Sequence, residues 1–391
     1  MTKVIEAASS EDYRRLAKQR LPRQIFDYLD GGSYQERTRF GNQQALAAIK
    51  LRQRVLRDVS NIQLNTRLQG LSQAMPVALG PIGLAGLMAR RGEVQAQKAA
   101  VRQGISFCAS TVSLCGIEEV AQAEPKRPPW FQLYVMKDRD YVLRLMQRAK
   151  DAGVSTLVVT ADLAVLGSRY RDIRNGFSGP QSVRKRWARF KDLLSHPRWV
   201  YDVAVKGKPL VFGNLNEAVP DARSLPQFKQ WVDAQFDPSV GWADINWLRH
   251  NWHGQLLVKG ILDTEDAEQA IRAGADGVIV SNHGGRQLDG VSPTINKLRE
   301  IRLHLDQSLP SAEFELWFDG GIENGLDVIK ALALGADGCL LGRAWAFALA
   351  AEGQAGINNL LQRMQEEMRV AMALMGETDI KGLGTHNIEQ Q

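Results

Sequence analysis

Residues 280–290 read VSNHGGRQLDG, which sets His283 and Arg286 on either side of Gly284 and Gly285. The apolar run before them, Gly277 to Val280, has the character of a buried strand. An imidazole is the side chain best poised near neutral pH to exchange a proton, and a guanidinium offers a planar, charged fork that matches a carboxylate. A strand end of this kind is either a plain turn or the floor of an active site. Other strand-like runs end in the same polar way. Reading only those ends collects Pro81, Ser110, Gln132, Tyr134, Thr160, Asp162, Lys259, Ser281, His283, Arg286, Asp319 and Arg343. Packing alone would place Val, Ile and Leu there, so the collection asks for chemistry.

The runs that must position these groups cover residues 76–81, 105–110, 130–134, 156–162, 256–260, 277–282, 315–321 and 338–343. Stretches between them, such as RDYVLRLMQRAKDAG and DAEQAIRAGAD, have helical spacing and length. Strands alternating with helices in this number predict an α/β fold, a (β/α)8 TIM barrel over residues 76–350. A doubly wound sheet is the alternative. An internal echo supports the barrel: AIRAGADGVIVSNHG and ALALGADGCLLGRAW read as two adjacent βα units built alike. Residues 1–75 form an N-terminal helical and extended cover over one barrel end. Residues 167–245 are a long insertion after the fourth strand, rich in Arg, Lys and Trp, and residues 351–391 a helical tail. All belong to a single domain in this reading.

A chain of 391 residues buries enough surface to need no covalent staples. Three cysteines make neither a disulfide framework nor a zinc pattern and suit a reducing cytosol. The net charge of +6 favours anionic partners, but no nucleic-acid module appears. The N-terminal stretch MTKVIEAASSEDYRRL has no apolar signal core, and the uncharged stretch 74–89 is too short to span a bilayer. A soluble or peripheral protein is expected. No Gly-x-Gly-x-x-Gly, phosphate loop or paired metal histidines occurs, which disfavours NAD and metal chemistry.

With FDYLDGGS (26–33), WFQLYV (130–135), LVKGIL (257–262) and ALALGADGCLLGR (331–343), the motif SNHGGRQLDG resembles the FMN-dependent L-2-hydroxy acid oxidising family. That family includes glycolate oxidase, L-lactate dehydrogenase, mandelate dehydrogenase and the flavin domain of flavocytochrome b2. MPVALGPIGLAG, ARRGEVQA, GSRYRD and KGILDTEDA are most similar to its membrane-associated bacterial L-lactate dehydrogenases. The resemblance covers nearly the whole chain. It implies FMN as cofactor and oxidation of a small 2-hydroxy acid, L-lactate to pyruvate, with electrons passing to a respiratory quinone or cytochrome. A soluble oxidase using oxygen, a mandelate or glycolate dehydrogenase, and an inactive barrel acting as a binding protein are the alternatives. Assembly as a homo-oligomer, a tetramer, is also implied.

The resemblance assigns roles residue by residue. His283 is the base and Asp162 its partner. Arg286 and Arg169 hold the substrate carboxylate, with hydroxyl hydrogen bonds from Tyr28 and Tyr134. Backbone at Leu79, Gly80 and Pro81 runs along the flavin edge, while Ser110, Gln132 and Thr160 bond the ring and Lys259 sets a positive charge beside it. Ser281 joins this cofactor set. Gly320, Gly321 and Gly342 let backbone approach the phosphate, with Arg343 adding charge and Asp319 taking a ribityl hydroxyl. Gly83 and Val112 flank the substrate by the same analogy. For His283 the plainer reading is a hydrogen-bonded loop histidine, and for Arg169 a surface arginine. One position departs: many relatives carry arginine directly after DGGI, where this chain has Glu323. A carboxylate repels a phosphate, so Glu323 is expected to turn outward.

Within the insertion, residues 182–202 place Val183, Trp187, Phe190 and Leu194 on one helical face, with Arg184, Lys185, Arg186, Arg189 and Lys191 around it. A basic amphipathic helix with aromatic anchors suits an anionic membrane interface. The expected location is cytoplasmic, at the inner face of the cell membrane. The plain alternative is a lid whose apolar face packs on the barrel.

Overall fold

The computed structural model describes residues 7–177, 182–207, 210–218, 231 and 234–389. A hairpin, β1 (Thr66–Leu68) and β2 (Leu71–Gln73), precedes eight barrel strands. These are β3 (Val77–Leu79), β4 (Ser106–Ser110), β5 (Trp130–Leu133), β6 (Thr156–Thr160), β7 (Gln255–Ile261), β8 (Gly277–Val280), β9 (Glu315–Asp319) and β10 (Gly338–Leu341). All are parallel and close in chain order, β10 pairing with β3. Each of the eight runs read from the sequence is a barrel strand, and the doubly wound alternative is excluded.

Strands covered on both faces need apolar residues at nearly every position. Each barrel strand gives one residue to a central plug: Ala78, Cys108, Trp130, Val158, Leu257, Ile279, Trp317 and Leu340, joined by Leu68. Trp130 and Trp317 meet edge to face with ring centroids 5.1 Å apart. Alternate residues, such as Leu79, Phe107, Phe131 and Val258, pack outward under the helices. The barrel interior is therefore filled, and the large cavity among the described residues lies above the strand ends. Cys108, Cys115 and Cys339 are free and buried, and burial pushes all three thiols far up.

The echoed Ala-Asp-Gly has a physical cause. Asp276 and Asp337 each precede a strand, and each carboxylate accepts the N–H of the neighbouring strand, at Leu256 and Leu316, both 2.7 Å. A side chain on the following Gly277 would meet Glu315 O at 2.3 Å, and one on Gly338 the Trp317 ring at 2.7 Å. The echo joins β8 to β10, so the two units alternate around the barrel rather than adjoin.

The N-terminal segment serves both barrel ends, not one. The β1–β2 hairpin closes the amino end, where Gln69 donates to Glu315 and Gln73 to Ser106 Oγ. The helices Ser10–Arg20, Arg23–Asp30 and Arg37–Ala48 instead border the carboxyl end. There Ser33 N–H donates to Gly285 O at 2.8 Å, and Asn42 and Asn282 exchange amide hydrogen bonds at 2.8 Å. The tail helix Gln354–Met375 stops at Gly376, whose φ of 70° ends it in the left-handed region.

The insertion leaves the barrel after β6 and returns through the helix Trp242–Asn251. Its helix Val183–Ser195 is capped by Ser182, whose hydroxyl accepts the Lys185 N–H. The helix stops before Pro197, shorter than the 182–202 expected, because the residue before a proline avoids the helical region. Val183, Trp187, Phe190 and Leu194 are 71%, 61%, 53% and 65% exposed, so this face does not pack on the barrel. Beyond the break, Trp199 is buried and its indole donates to Leu87 O at 2.8 Å.

Candidate active site

A cavity of about 2590 Å³ opens over the carboxyl ends of the strands. All the expected site residues line it except Leu79, Asp162 and Ser281. Those three stand one layer behind. Leu79 is fully buried, and only its backbone can present to a ligand. Ser281 is corrected from cofactor contact to internal strut: its hydroxyl accepts from Lys259 Nζ at 2.9 Å and from the His283 N–H at 3.0 Å, and donates to Asp319 Oδ2 at 2.6 Å.

β8 delivers the histidine loop. His283 has φ of 57°, and Gly284 and Gly285 follow at 62° and 73°, three left-handed residues in a row. A side chain on Gly285 would meet the Arg39 backbone at 2.5 Å, and one on Gly284 the Arg343 guanidinium at 3.0 Å. The glycines therefore serve this turn and its close packing against the helix Arg37–Ala48, more than a close approach to a ligand.

His283 Nδ1 lies 2.9 Å from Asp162 Oδ1. Among the described residues its Nε2 has no protein partner, and the ring faces the cavity. Burial lowers the imidazole pKa from 6.5, helped by the Lys259 and Arg169 cations and opposed by Asp162. The ring is thus neutral near pH 7 and able to accept a proton. Asp162 stays ionised: burial raises its pKa, but His283 and Lys259 outweigh that and lower it. Lys259 is 5% exposed, and the Asp319 carboxylate at 3.0 Å, with Asp162, overcomes burial and holds the ammonium charged.

Arg286 and Arg169 meet in the same cavity. The Arg286 guanidinium donates to Tyr28 O at 2.6 Å and Gly31 O at 3.0 Å, and stacks over the Tyr28 ring at 4.9 Å. Burial and the nearby Arg169 lower its pKa to about 10. Arg169 Nε is buried without a partner. Two guanidinium groups that repel each other, one with an unused donor, form a site that an anion relieves. Burial keeps the Tyr134 phenol protonated and its ring rests edge-on against Phe236, while the Tyr28 hydroxyl donates to Gly83 O at 3.2 Å. A side chain on Gly83 would meet Val112 at 2.7 Å, so the close packing of this wall requires glycine.

Toward β9 and β10 the picture differs from expectation. Gly320 and Gly321 are required by packing: a side chain would meet Thr294 at 2.3 Å or Asn42 at 3.1 Å. Gly342 alone borders open space, at the uncapped start of the helix Arg343–Glu352. The Arg343 guanidinium donates to the Leu29, Gly31 and Gly284 carbonyls, at 3.1, 2.7 and 2.9 Å, with one N–H on each of Nη1 and Nη2 left over. Glu323 remains on the cavity wall instead of turning away, held by its N–H bond to Asp327 and by the Gln43 amide.

The profile of the FMN-dependent dehydrogenases matches residues 17–390. The chain belongs to that family. Two relatives named L-lactate dehydrogenase are similar over almost the full length. The one from Serratia proteamaculans (strain 568) is 50% identical over 383 residues, covering 98% of each chain. The one from Vibrio parahaemolyticus serotype O3:K6 is 49% identical over 381 residues, covering 97% of this chain and 98% of the relative. Among solved structures, the monotopic membrane protein (S)-mandelate dehydrogenase superposes with a TM-score of 0.91 at 35% identity, covering 99% of this chain and 100% of that one. Mandelate oxidase does so at 0.82 and 34%, covering 99% of each.

The residues present fit the cofactor of an FMN-dependent dehydrogenase. Among the described residues Gln132 Nε2 is buried without a partner, while its Oε1 is held by Ser110 Oγ at 3.0 Å, so the amide keeps an unused donor. Lys259 brings a buried cation to the same wall, and Gly342 leaves clear space at a helix start, the usual anion position. Glu323 is an unfavourable neighbour for a phosphate. Exchange of Glu323 for Arg should tighten FMN about fivefold, the contribution of an exposed ion pair. Fluorescence titration of the apoprotein with FMN measures it, and an unchanged Kd places residue 323 away from the phosphate.

Sequence reasoning passed over Asp30, although FDYLDGGS was singled out. The missed signal is an acid at the last position of a helix, where the helix dipole disfavours it unless cations surround it.

Proposed function

We propose that this single-domain FMN-dependent dehydrogenase oxidises L-lactate to pyruvate and passes the electrons to a quinone or cytochrome at an anionic membrane surface. One observation carries the reading: a neutral, carboxylate-paired imidazole faces the same cavity as two mutually repelling arginines. Arg286 and Arg169 hold the substrate carboxylate, with Tyr28 and Tyr134 bonding its oxygens. His283 Nε2 then takes the hydroxyl proton, and Asp162 stabilises the imidazolium that forms. Gln132, Ser110, Thr160, Lys259, Asp319 and the backbone of residues 79–81, 320–321 and 342–343 would hold FMN, which would supply the acceptor for the α-hydrogen and the electron pair of its C–H bond as the carbonyl forms. Lactate is favoured because the relatives of about half identity carry that name. The small residues Gly83 and Val112 on the cavity wall support a second reading, a bulkier acid such as mandelate.

Among the described residues no helix is long and apolar enough to cross a membrane. Membrane binding is instead proposed for the helix Val183–Ser195, supported by its exposed Trp187 and Phe190 beside Arg184, Lys185 and Arg186. Leu193, Leu194, Val200 and Phe212 are among the apolar residues lining the cavity and support a lipid-soluble acceptor.

The purified protein is expected to be yellow and to bleach anaerobically with L-lactate faster than with glycolate or mandelate. A flavin untouched by all three acids would defeat the reading, and rapid reoxidation by air alone would favour a soluble oxidase. The holoenzyme is also expected to bind anionic vesicles, each basic residue near the surface adding about 1 kcal/mol, and to release them in salt. Replacing residues 183–195, and not the barrel-anchored Trp199, by a Gly/Ser linker should abolish binding and leave dye-linked oxidation intact.

A further inference from the structure

Five arginines converge on the short turn after the helix Arg23–Asp30. Arg286 and Arg343 reach its backbone, at the carbonyls of Tyr28, Leu29 and Gly31. Arg14, Arg39 and Arg171 reach its one carboxylate. Asp30 is fully buried and accepts from Arg14 Nε at 2.6 Å and Arg14 Nη2 at 3.1 Å, from Arg39 at 2.9 Å and from Arg171 at 2.6 Å. Arg171 and Arg39 also share Glu36, at 2.6 Å and 3.0 Å.

The network joins two segments that approach the cavity from different parts of the chain. Arg171 lies two residues after Arg169, in the helix Tyr170–Asn175 that Arg169 caps. Its bond to Asp30 fixes that helix against the N-terminal turn. The same turn grips Arg286 through the Tyr28 and Gly31 carbonyls. Neither guanidinium facing the cavity touches Asp30, yet both are tied to it, one through a side chain and one through the backbone. The backbone between the segments is tight: Tyr34 N–H donates to Ser168 O at 2.7 Å, and a side chain on Gly167 would meet Arg286 O at 2.7 Å. The spacing of the two arginines therefore depends on what holds this junction.

We propose that Asp30 is a positioning residue that sets the separation of Arg169 and Arg286, and through it the affinity for the substrate carboxylate. A binding fork works only when its donors meet both oxygens, so loosening the junction weakens ground-state and transition-state binding alike. Such a loss raises KM and spares kcat. A purely structural role lowers Tm and leaves both unchanged in the folded fraction.

The test rests on the lactate-oxidising reading and uses the holoenzyme. Asp30→Asn keeps the shape and removes the charge. KM for L-lactate and the Kd of oxalate, a non-oxidisable anion read by flavin absorbance, should both rise about 10- to 100-fold, the range for outer groups that orient a binding group, with kcat within about threefold and FMN content unchanged. Asp30→Asn leaves three arginines short of a partner and can fail to fold. Arg171→Lys keeps the charge but removes the fork, leaves Asp30 with Arg14 and Arg39, and should raise the same two constants in the same sense by a smaller factor. Folded variants with unchanged KM and oxalate Kd overturn the proposal. So does a loss confined to kcat. If the wild type itself fails to oxidise any 2-hydroxy acid while still binding oxalate with the predicted differences, the lactate reading fails and the positioning role stands.

Discussion

Turnover is expected to fall at least about 10³-fold when His283 is replaced by Gln, with FMN still bound. Base catalysis typically contributes about 10²–10⁴-fold, and glutamine cannot accept the proton at neutral pH. Glutamine can keep a hydrogen bond to Asp162, so the loss isolates the proton and not the architecture. The backbone adds a constraint: residue 283 sits at φ of 57°, which non-glycine residues rarely adopt. A thermal melt alongside the kinetics therefore separates strain from chemistry. In the native enzyme only the neutral imidazole works, and burial with the Lys259 and Arg169 charges lowers its pKa from 6.5. Activity should therefore hold as pH drops through neutrality and fail only below pH 6.5, as the ring protonates. An acid limb centred above 6.5, or a Gln variant with near-normal turnover, would remove His283 from the proton transfer.

For Arg286→Lys the expected loss is on the order of 10²-fold in kcat/KM, expressed mainly in KM. Lysine keeps the charge. It cannot donate to Tyr28 O and Gly31 O while also presenting a fork to the cavity. It also gives up the stacking of the guanidinium over the Tyr28 ring, which holds both residues in register. Steady-state kinetics over a range of L-lactate concentrations decide the matter. Unchanged kcat/KM would mean that Arg286 only ties the histidine loop to the N-terminal helix, and that Arg169 alone meets the carboxylate.

The barrel was legible because each strand had to be apolar on both faces while its carboxyl end turned polar, a contrast that repeats down the sequence. Lys259 and Asp319 stood out for that reason, and the structure pairs them at 3.0 Å. The layers behind the wall were not legible. Ser281 sits in the right register for the cavity, yet its hydroxyl is consumed by Lys259, His283 and Asp319. Arg343 carries the charge expected beside a phosphate, but three carbonyls of distant segments claim it first. Gly320 and Gly321 read as room for a ligand, and on the side where a side chain would stand each packs against Thr294 or Asn42. In each case the competing partner lies far away in sequence, where spacing and periodicity hold no information. The proline break at residue 197 was visible locally, and a helix ending at Ser195 follows from it.

The three thiols, sealed in the barrel and beneath its helices, leave the surface chemically silent toward sulfhydryl reagents. A single cysteine introduced at an exposed position, Val183 or Leu194 for instance, would thus be the sole reactive handle among the described residues. No background substitutions would be needed to make it so. A spin label or environment-sensitive dye attached there would ride on the basic helix. Native protein, with its own plug and its own cofactor, can in this way carry a depth gauge.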